Sequence, residues 1–574
     1  MKKTLSLLLF TAVIISLRAQ PAAFQWARVV GGANKIIVNH GNAITTDAAG
    51  NVYTTGYFGG TVDFDPGTGT ANLTSAGDYD VFILKLTASG SLAWAKRIGS
   101  SSDDAANSIA IDASGNIYTI GRFQGTVDFD PGTGTASLSA TGYNDVFILK
   151  LDAAGNYVWA KRFGGATGNA IGNSIVTDAA GNIYGCGTFY GTVDFDPGTG
   201  LASLSASGSY DAFITKLDGA GNLVWARNLD GTSDIYGNSV AADAAGNVYS
   251  TGYFYGTADF DPGTGTFPMS YSGYYDTYIL KLDAAGDFAW AKDIAGTSDV
   301  YAVSITADPA GNIYTTGYFE GTADFDPDTA SIYNLSCTTT ASFVFISKLN
   351  SAGNFVWAKS MASSFGSVGN AVTLDAAGNV YTTGYFNQTT DFDPGPASAD
   401  LTCTGGDDAF ISKLDASGNF LWAGNMGGSG STYTYGNSIT TDGAGNIYTT
   451  GNLQGTADFD PGSGSFSLTS TGITGLFVHK MSQPGQPNEI QENTLNQLIV
   501  YPNPGSGEFI VVLPEITSDT WIEIYSATGK LIKRKQVNTL RMQINLLEYA
   551  DGLYFIKIIS DHKTVAAQRL LKID

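Results

Sequence analysis

One string returns seven times along this chain. D-x-x-G-N-[VI]-Y begins at Asp47, Asp112, Asp178, Asp243, Asp308, Asp375 and Asp442, at steps of 65 to 67 residues. Two further features keep the same step. D-F-D-P begins at Asp63, Asp128, Asp194, Asp259, Asp324, Asp391 and Asp458, and a lysine stands in an apolar run at Lys85, Lys150, Lys216, Lys281, Lys348, Lys413 and Lys480. A fixed period of this kind restricts the fold to an array of one supersecondary unit, because a single unit cannot bury its own apolar faces.

One repeat reads as four strands, at residues 42–47, 51–58, 80–86 and 92–97. The second and third are apolar or Thr on both faces, so both faces must be covered. Four-stranded blades stacked around an axis meet that demand, which predicts an all-β fold and a seven-bladed β-propeller over residues 20–481. Of the 42 acids in residues 21–481, 41 are Asp and one is Glu320, a balance that favours turns over helices. Closure is written in the tryptophans. Fourth strands carry Trp94, Trp159, Trp225, Trp290, Trp357 and Trp422, and the seventh Trp of the set, Trp26, precedes the first repeat. The N-terminal strand is therefore expected to complete the seventh blade and remove the open edge. Each repeat is about 20 residues longer than the 40–45 of common four-stranded propeller repeats. The excess lies around D-F-D-P, and these insertions are expected to decorate the outer rim or one face.

The two ends differ from the array. Residues 1–19 have Lys2 and Lys3, then a short apolar run from Leu5 to Leu17, then Ala19, as a secretory signal peptide does. No later segment reaches membrane-spanning length. A Pro/Gly-bearing linker is expected at 482–495, and residues 496–574 carry short alternating strands that suggest a small Ig-like β-sandwich. The chain has 29 basic and 52 acidic residues, a net charge of −23, which argues against a nucleic-acid partner. Three Cys (Cys186, Cys337, Cys403) exclude a disulfide framework and read as buried free thiols.

The repeat, with its Lys strand and W-A-[KR] strand, resembles the SBBP-type propeller repeat of bacterial secreted proteins and is similar to the core of NHL repeats. That resemblance implies architecture and no reaction. Tyr501-Pro502-Asn503-Pro504, Gly529, Gly552, Tyr554 and Lys572 resemble the type A C-terminal sorting domain of the type IX secretion system of Bacteroidetes. This implies the secretion machinery as a partner, an extracellular or outer-membrane-surface location, and removal of the domain on export.

Candidate chemistry is sparse. The pairs Asp63/Asp65, Asp128/Asp130, Asp194/Asp196, Asp259/Asp261, Asp324/Asp326, Asp391/Asp393 and Asp458/Asp460 could offer oxygens to calcium. The alternative is that they cap Asp-Pro-Gly turns. No other cofactor is expected. Seven equal acid pairs argue against catalysis, which needs acids in unlike environments. His40 is expected in a loop and His479 in a strand, with no nucleophile motif beside either. Tyr57, Tyr253, Tyr318 and Tyr385 recur after a second-strand Gly and could stack on sugar rings or pack between blades. A first-strand Asn (Asn42, Asn107, Asn173, Asn238, Asn370, Asn437) could ring the channel or bond its own turn. Val303, Phe343, Gly475 and Glu320 break the symmetry and point towards the fifth repeat. The expected function is a secreted binding module for a glycan or protein. Alternatives are a polysaccharide-degrading enzyme using Asp residues and a passive surface scaffold.

Overall fold

The computed structural model describes residues 22–31, 39–328, 330–337, 341–483, 499–501, 506–513, 520–526, 530–537, 539–560 and 563–572. Every regular element among them is a β-strand. The chain divides into two compact units, residues 1–484 and 485–574. The expected signal peptide, most of the linker, Pro502, Asn503, Pro504 and Gly529 lie outside the described residues.

Among the described residues, the first unit contains seven four-stranded antiparallel meanders. Blade 1 runs outward from the axis as Asn39–Thr46, Val52–Phe58, Asp80–Leu86 and Leu92–Ile98. Blades 2 to 6 repeat that order. Blade 7 has Tyr433–Thr441, Ile447–Gln454 and Gly475–Ser482, and its outer strand is Ala23–Val30 from the other end of the chain. Trp26 pairs with Lys480 and Val30 with Leu476 in that antiparallel register. Inner strands touch their neighbours in a closed cycle, the seventh against the first.

The signature string builds the inner turn and a latch. Asp47 Oδ1 accepts the N–H groups of Ala49 and Asn51 at 3.0 and 2.9 Å, and its Oδ2 accepts Asn51 Nδ2 and the Tyr53 hydroxyl at 2.8 and 3.0 Å. Gly50 takes φ +75° there, a conformation a side chain would strain. The Tyr53 ring then carries Lys85 Nζ, 4.9 Å from its centroid. Lys85 donates onward to the Ala153 carbonyl of blade 2 at 3.3 Å. The copies do the same around the ring, and Lys480 donates to Ala88 O at 3.2 Å across the seam between the chain ends. Lys413 departs: it donates to Gln483 Oε1 at 3.0 Å. Blade 7 has no turn from third to fourth strand, because its fourth strand comes from elsewhere. Trp26 fills the place of the other fourth-strand tryptophans. Its Nε1 donates to Ala88 O at 3.2 Å and its ring lies against Gly90, where a Cβ would stand 3.0 Å away.

The repeated Asn links blades rather than closing its own turn. It is the extra residue of a bulge in each inner strand, as between Gly41 and Ala43. Asn42 Nδ2 donates to Ala106 O of blade 2 at 2.9 Å, and Asn107, Asn173, Asn238, Asn370 and Asn437 repeat this to the next blade. Val303 interrupts the ladder between blades 5 and 6. The inner strand is also longer than its sequence suggests, starting at Asn39. His40 is therefore a strand residue, which corrects its expected place in a loop. The alternation that marks a strand is interrupted by the bulge, so the first part was not readable.

The D-F-D-P insertions are clasps, not ornament. Each forms a short hairpin, as in Thr61–Asp63 with Asn72–Thr74. Its first arm pairs with the outer strand of the preceding blade, at Gly31–Asp63, Gly99–Asp128, Gly164–Asp194, Gly231–Ala258, Gly296–Ala323, Ser363–Thr390 and Gly427–Asp458. The motif Phe plugs the core: Phe64 rests on Phe58 and Phe82 at 5.2 and 5.3 Å between ring centroids.

The second unit has a three-stranded sheet, Ile499–Tyr501, Glu508–Val512 and Arg541–Asn545. A four-stranded sheet is built from Thr520–Ser526, Leu531–Gln536, Gly552–Ser560 and Lys563–Lys572. Phe509, Val511, Ile522, Ile524, Ile544 and Ile556 share one core. Lys572 Nζ meets Asp551 Oδ1 at 2.6 Å, beside Gly552, and the Tyr554 hydroxyl donates to Ala550 O at 2.6 Å.

Candidate functional site

Where the inner strands are entered, register sets seven cross-strand pairs in a circle. They are His40–Tyr57, Ala105–Arg122, Ile171–Thr188, Tyr236–Tyr253, Tyr301–Tyr318, Val368–Tyr385 and Tyr435–Asn452. Tyr57, Tyr253, Tyr318 and Tyr385 thus occupy one collar, all half-buried. Period 2 explains their direction: Tyr57 faces opposite to buried Phe58.

The collar is unequal around its circumference. On blades 4 and 5 the rings are continuous, and Tyr210 from the third-strand entry of blade 3 joins them. Tyr210 lies 5.8 Å from Tyr236, Tyr236 stacks on Tyr253 at 4.7 Å and 28°, and Tyr253 meets Tyr301 at 4.6 Å. Tyr275 packs on Tyr253 and Tyr301 at 5.3 and 5.5 Å, and Tyr301 stacks on Tyr318 at 4.9 Å. Tyr385 then meets Tyr435 at 4.8 Å, whose hydroxyl donates to Asp407 Oδ2 at 2.9 Å. Asn452 Nδ2 lies 2.7 Å from His40 Nδ1, and His40 stacks on Tyr57 at 4.8 Å and 10°. Ala105, Ile171 and Thr188 break the aromatic run on blades 2 and 3. Arg122 is the one basic side chain of formal charge among the fourteen positions.

Burial keeps the collar's phenols and imidazole uncharged. Burial, with neighbouring tyrosines, pushes the Tyr253 and Tyr318 phenols up to about 12. Burial also lowers His40 below its ordinary value, so the imidazole is uncharged at neutral pH. The rings present uncharged faces with hydroxyl donors, which suits polarised C–H groups and sugar hydroxyls.

Tyr236, Tyr301, Tyr435, Tyr210 and Tyr275 were not singled out by the repeat. Their positions carry unlike residues in other repeats, so self-comparison passes over them. One signal was present: a Tyr stands two residues before the bulge position at Asn238, Val303 and Asn437.

The acid pairs considered for calcium lie away from the collar, in the clasps, and one oxygen of each is engaged by backbone donors. The first Asp of each pair holds two backbone donors. Asp63 Oδ1 accepts the N–H groups of Asp65 and Ala71 at 3.0 and 2.8 Å, and Asp128, Asp194, Asp259, Asp324, Asp391 and Asp458 accept the matching pair in their own clasps. The second Asp caps the turn that follows. Asp65, Asp130, Asp196, Asp261, Asp393 and Asp460 each use Oδ1 to accept the N–H of the glycine two residues on, at 2.7 to 2.9 Å. Asp326 does the same to Asp328 N–H at 3.0 Å, and its Oδ2 accepts the Ser331 hydroxyl at 2.7 Å. Among the described residues no three acid, His or Cys side chains converge as a metal cage. Turn capping, the alternative reading of these pairs, thus accounts for the hydrogen bonds of Asp63, Asp65 and their copies. Calcium needs six to eight oxygens; five clasps bring two carboxylates, while Asp328 and Asp400 add a third to the fifth and sixth. Gly69 is needed there too, since a Cβ would collide with Asp65 Oδ2.

The remaining candidates are scattered. His479 is fully buried, held to about 3 by that burial, with Nε2 3.0 Å from Phe459 O. Cys186 and Cys403 are buried free thiols, whereas Cys337 is half-buried, which corrects the expectation for that residue. The asymmetric residues separate. Phe343 and Gly475 lie in blade walls opposite Phe319 and Leu453, and Glu320 borders the collar after Tyr318.

A buried Asp opens the third strand of five blades and shows what symmetry-breaking costs. Asp80 and Asp145 meet Arg97 and Arg162 at 2.5 and 2.9 Å. Blade 3 has Asn228 at the arginine position, and Asp230 stands near Asp211 instead. Burial chiefly, then Asp230, raises Asp211 to about 7 from 3.8. The folded ring therefore binds this proton more tightly than the unfolded chain. Stability from it is complete below pH 3.8 and is lost as pH rises through about 7. Asp211→Asn should stabilise the ring by about 1–2 kcal/mol at pH above about 7 and leave its melting temperature unchanged in acid. Equal shifts at both pH values in calorimetry would refute the assignment.

Comparison with known proteins bears on both units. A "Beta-propeller repeat" family model matches residues 93–122, 289–318 and 427–455, and a "Secretion system C-terminal sorting domain" model matches 499–572. An uncharacterized WD repeat-containing protein of Acanthamoeba polyphaga mimivirus is 26% identical over 480 residues, 70% of this chain and 34% of that protein. Regulatory protein FlaEY of Caulobacter vibrioides is 26% identical over 175 residues, 30% of this chain and 18% of its own. The chain thus spans about a third or less of these relatives. Among solved structures, a fungal alcohol oxidase in complex with copper aligns at TM-score 0.34 and 12% identity, covering 96% of this chain and 99% of that one. PorZ, a surface component of the type IX secretion system of Porphyromonas gingivalis, aligns at 0.18 and 11%, covering 95% and 100%.

Proposed function

We propose that this secreted β-propeller protein, carrying a type IX sorting domain, is an extracellular glycan-binding module whose ligand enters at the tyrosine collar. The carrying observation is the convergence of stacked pairs, Tyr236 on Tyr253 and Tyr301 on Tyr318, from adjacent blades onto one circle. Packing between blades does not require it, because blades 2 and 3 close with Ala105, Ile171 and Thr188 at the same positions. Neutral hydroxyls and half-open rings match the alternating C–H and O–H faces of a sugar.

The test is a glycan panel probed with the full chain, followed by Tyr253→Ala and Tyr301→Ala. Each variant should weaken the best glycan about 10- to 30-fold, the range of a central aromatic anchor. Unchanged affinity in variants that melt normally would sink the collar. A chelation arm checks the clasps: with Asp63/Asp65 and their copies capping turns, EDTA should leave the affinity unchanged. Loss of binding in EDTA would turn those caps into cation ligands.

A further inference from the structure

We propose that the blade 3–5 sector of the collar selects a sugar bearing a free, protonated amine. This rests on the glycan reading and deepens it. In this sector two stacked tyrosine pairs lie beside carboxylates that accept no hydroxyl of a described tyrosine, unlike Asp407, which accepts the Tyr435 hydroxyl. Asp234 and Asp299 each stand two residues before a collar tyrosine, Tyr236 and Tyr301. Asp299 Oδ1 accepts the Tyr275 N–H at 3.2 Å, so this carboxylate lies against the loop whose ring packs on Tyr253 and Tyr301. Its backbone carbonyl accepts the Glu320 N–H at 2.9 Å, which brings a third acid to the same edge. The Asp234 carbonyl accepts the Tyr255 N–H at 2.9 Å, and Tyr255 contacts Tyr271 and Tyr275 at 4.6 and 5.7 Å. Asp234 Oδ1 is buried and accepts no hydrogen bond from a described residue. That oxygen is enclosed, so Asp234 acts on the sector through its charge rather than through a direct hydrogen bond from this atom.

The chemistry of a complement follows. Tyrosine faces attract a cation through the ring quadrupole, and carboxylates beside them attract it through charge. Burial chiefly, and then the field of Asp234 and Asp299, raises the Tyr236, Tyr275 and Tyr301 phenols and holds them protonated. Arg122 stands away from this sector, on blade 2, and disfavours a cation only at the far side. An ammonium group on a pyranose would place its charge between the acids while the ring stacks on tyrosine. N-acetylation removes that charge and keeps the stacking surface.

The experiment titrates the full chain with glucosamine oligosaccharides and with their N-acetylated counterparts of equal length, in mildly acidic buffer at low and high salt. The amine form should bind about tenfold more tightly at low salt, and salt should shrink that ratio. Asp234→Asn and Asp299→Asn together should bring the ratio to within about twofold. Asn keeps the acceptor for the Tyr275 N–H, and Glu320→Gln supplies an independent variant expected to lower the ratio in the same direction. Equal affinity for both sugars, or a preference untouched by all three variants, overturns the inference and leaves the glycan collar standing. No binding to any sugar overturns both. Polylysine binding as tightly as the amino sugar, with the same dependence on Asp234 and Asp299, overturns the sugar and assigns the sector to a basic peptide.

Discussion

Removing residues 22–31 is expected to lower the melting temperature by about 10 °C or more, or to prevent folding outright. The strand Ala23–Val30 supplies the whole outer edge of blade 7. It buries Trp26, Ala27 and Val30, to 9, 1 and 1% exposure. Burying a large apolar side chain contributes about 1.5–3 kcal/mol, so these residues and the strand's ladder together amount to roughly 5 kcal/mol or more. The loss spreads beyond one blade. Trp26 holds the Ala88–Gly90 turn of blade 1, Gly31 receives that blade's clasp, and Gly475–Ser482 would become an open apolar edge. Thermal melting of the deletion, with and without the missing strand added as a peptide, measures this. Unchanged melting would mean that the ring does not close through this strand.

Phe195→Ala should cost about 3–5 kcal/mol, the range for emptying a buried aromatic site. Its ring lies 5.4 Å from Phe163, 5.4 Å from Phe189 and 4.9 Å from Phe213. Those partners come from the outer strand of the preceding blade and from two strands of its own. The cavity would therefore open at a joint between blades. Asp194→Ala, which removes the acceptor for Asp196 and Ala202 N–H, should cost only about 1–2 kcal/mol. Denaturant unfolding of both variants ranks the two. A negligible loss for Phe195→Ala would return the insertions to surface ornament.

Much of the architecture was legible because burial demands are periodic. The second and third strands are apolar on both faces, so stacked sheets followed from Val52–Phe58 and Asp80–Leu86 alone. The clasp was less legible, because D-F-D-P records a turn and one apolar residue but not where that residue goes. A single Phe between two Asp carries no period, and only the packed neighbours Phe58 and Phe82 show it as a plug. The flanking acids were ambiguous for the same reason. Spacing shows two carboxylates near each other, but only the folded turn shows the backbone N–H groups that occupy Asp63 and Asp65.

The candidate site was half legible for a related reason. Tyr57, Tyr253, Tyr318 and Tyr385 repeat, so comparison of the chain with itself finds them. Tyr236 and Tyr301 recur in one further repeat only, at Tyr435, yet they form half of the stacked pairs. A residue found in only some repeats shapes one sector of the collar, and comparing repeats with one another passes over it.

By itself the sequence determined the number of repeats, the strand order within each, and the displaced Trp26 that closes the ring. These depend on local burial and chain connectivity, both written in residue spacing. The tertiary structure alone decided the partners across blades. Asn42 reaches Ala106, Lys85 reaches Ala153, and Tyr253 reaches Tyr301 only because inner strands converge on an axis. The first two contacts join residues about one period apart and the third joins residues 48 apart, so no single spacing covers them. Their geometry is fixed by ring closure, and no spacing along the chain encodes it.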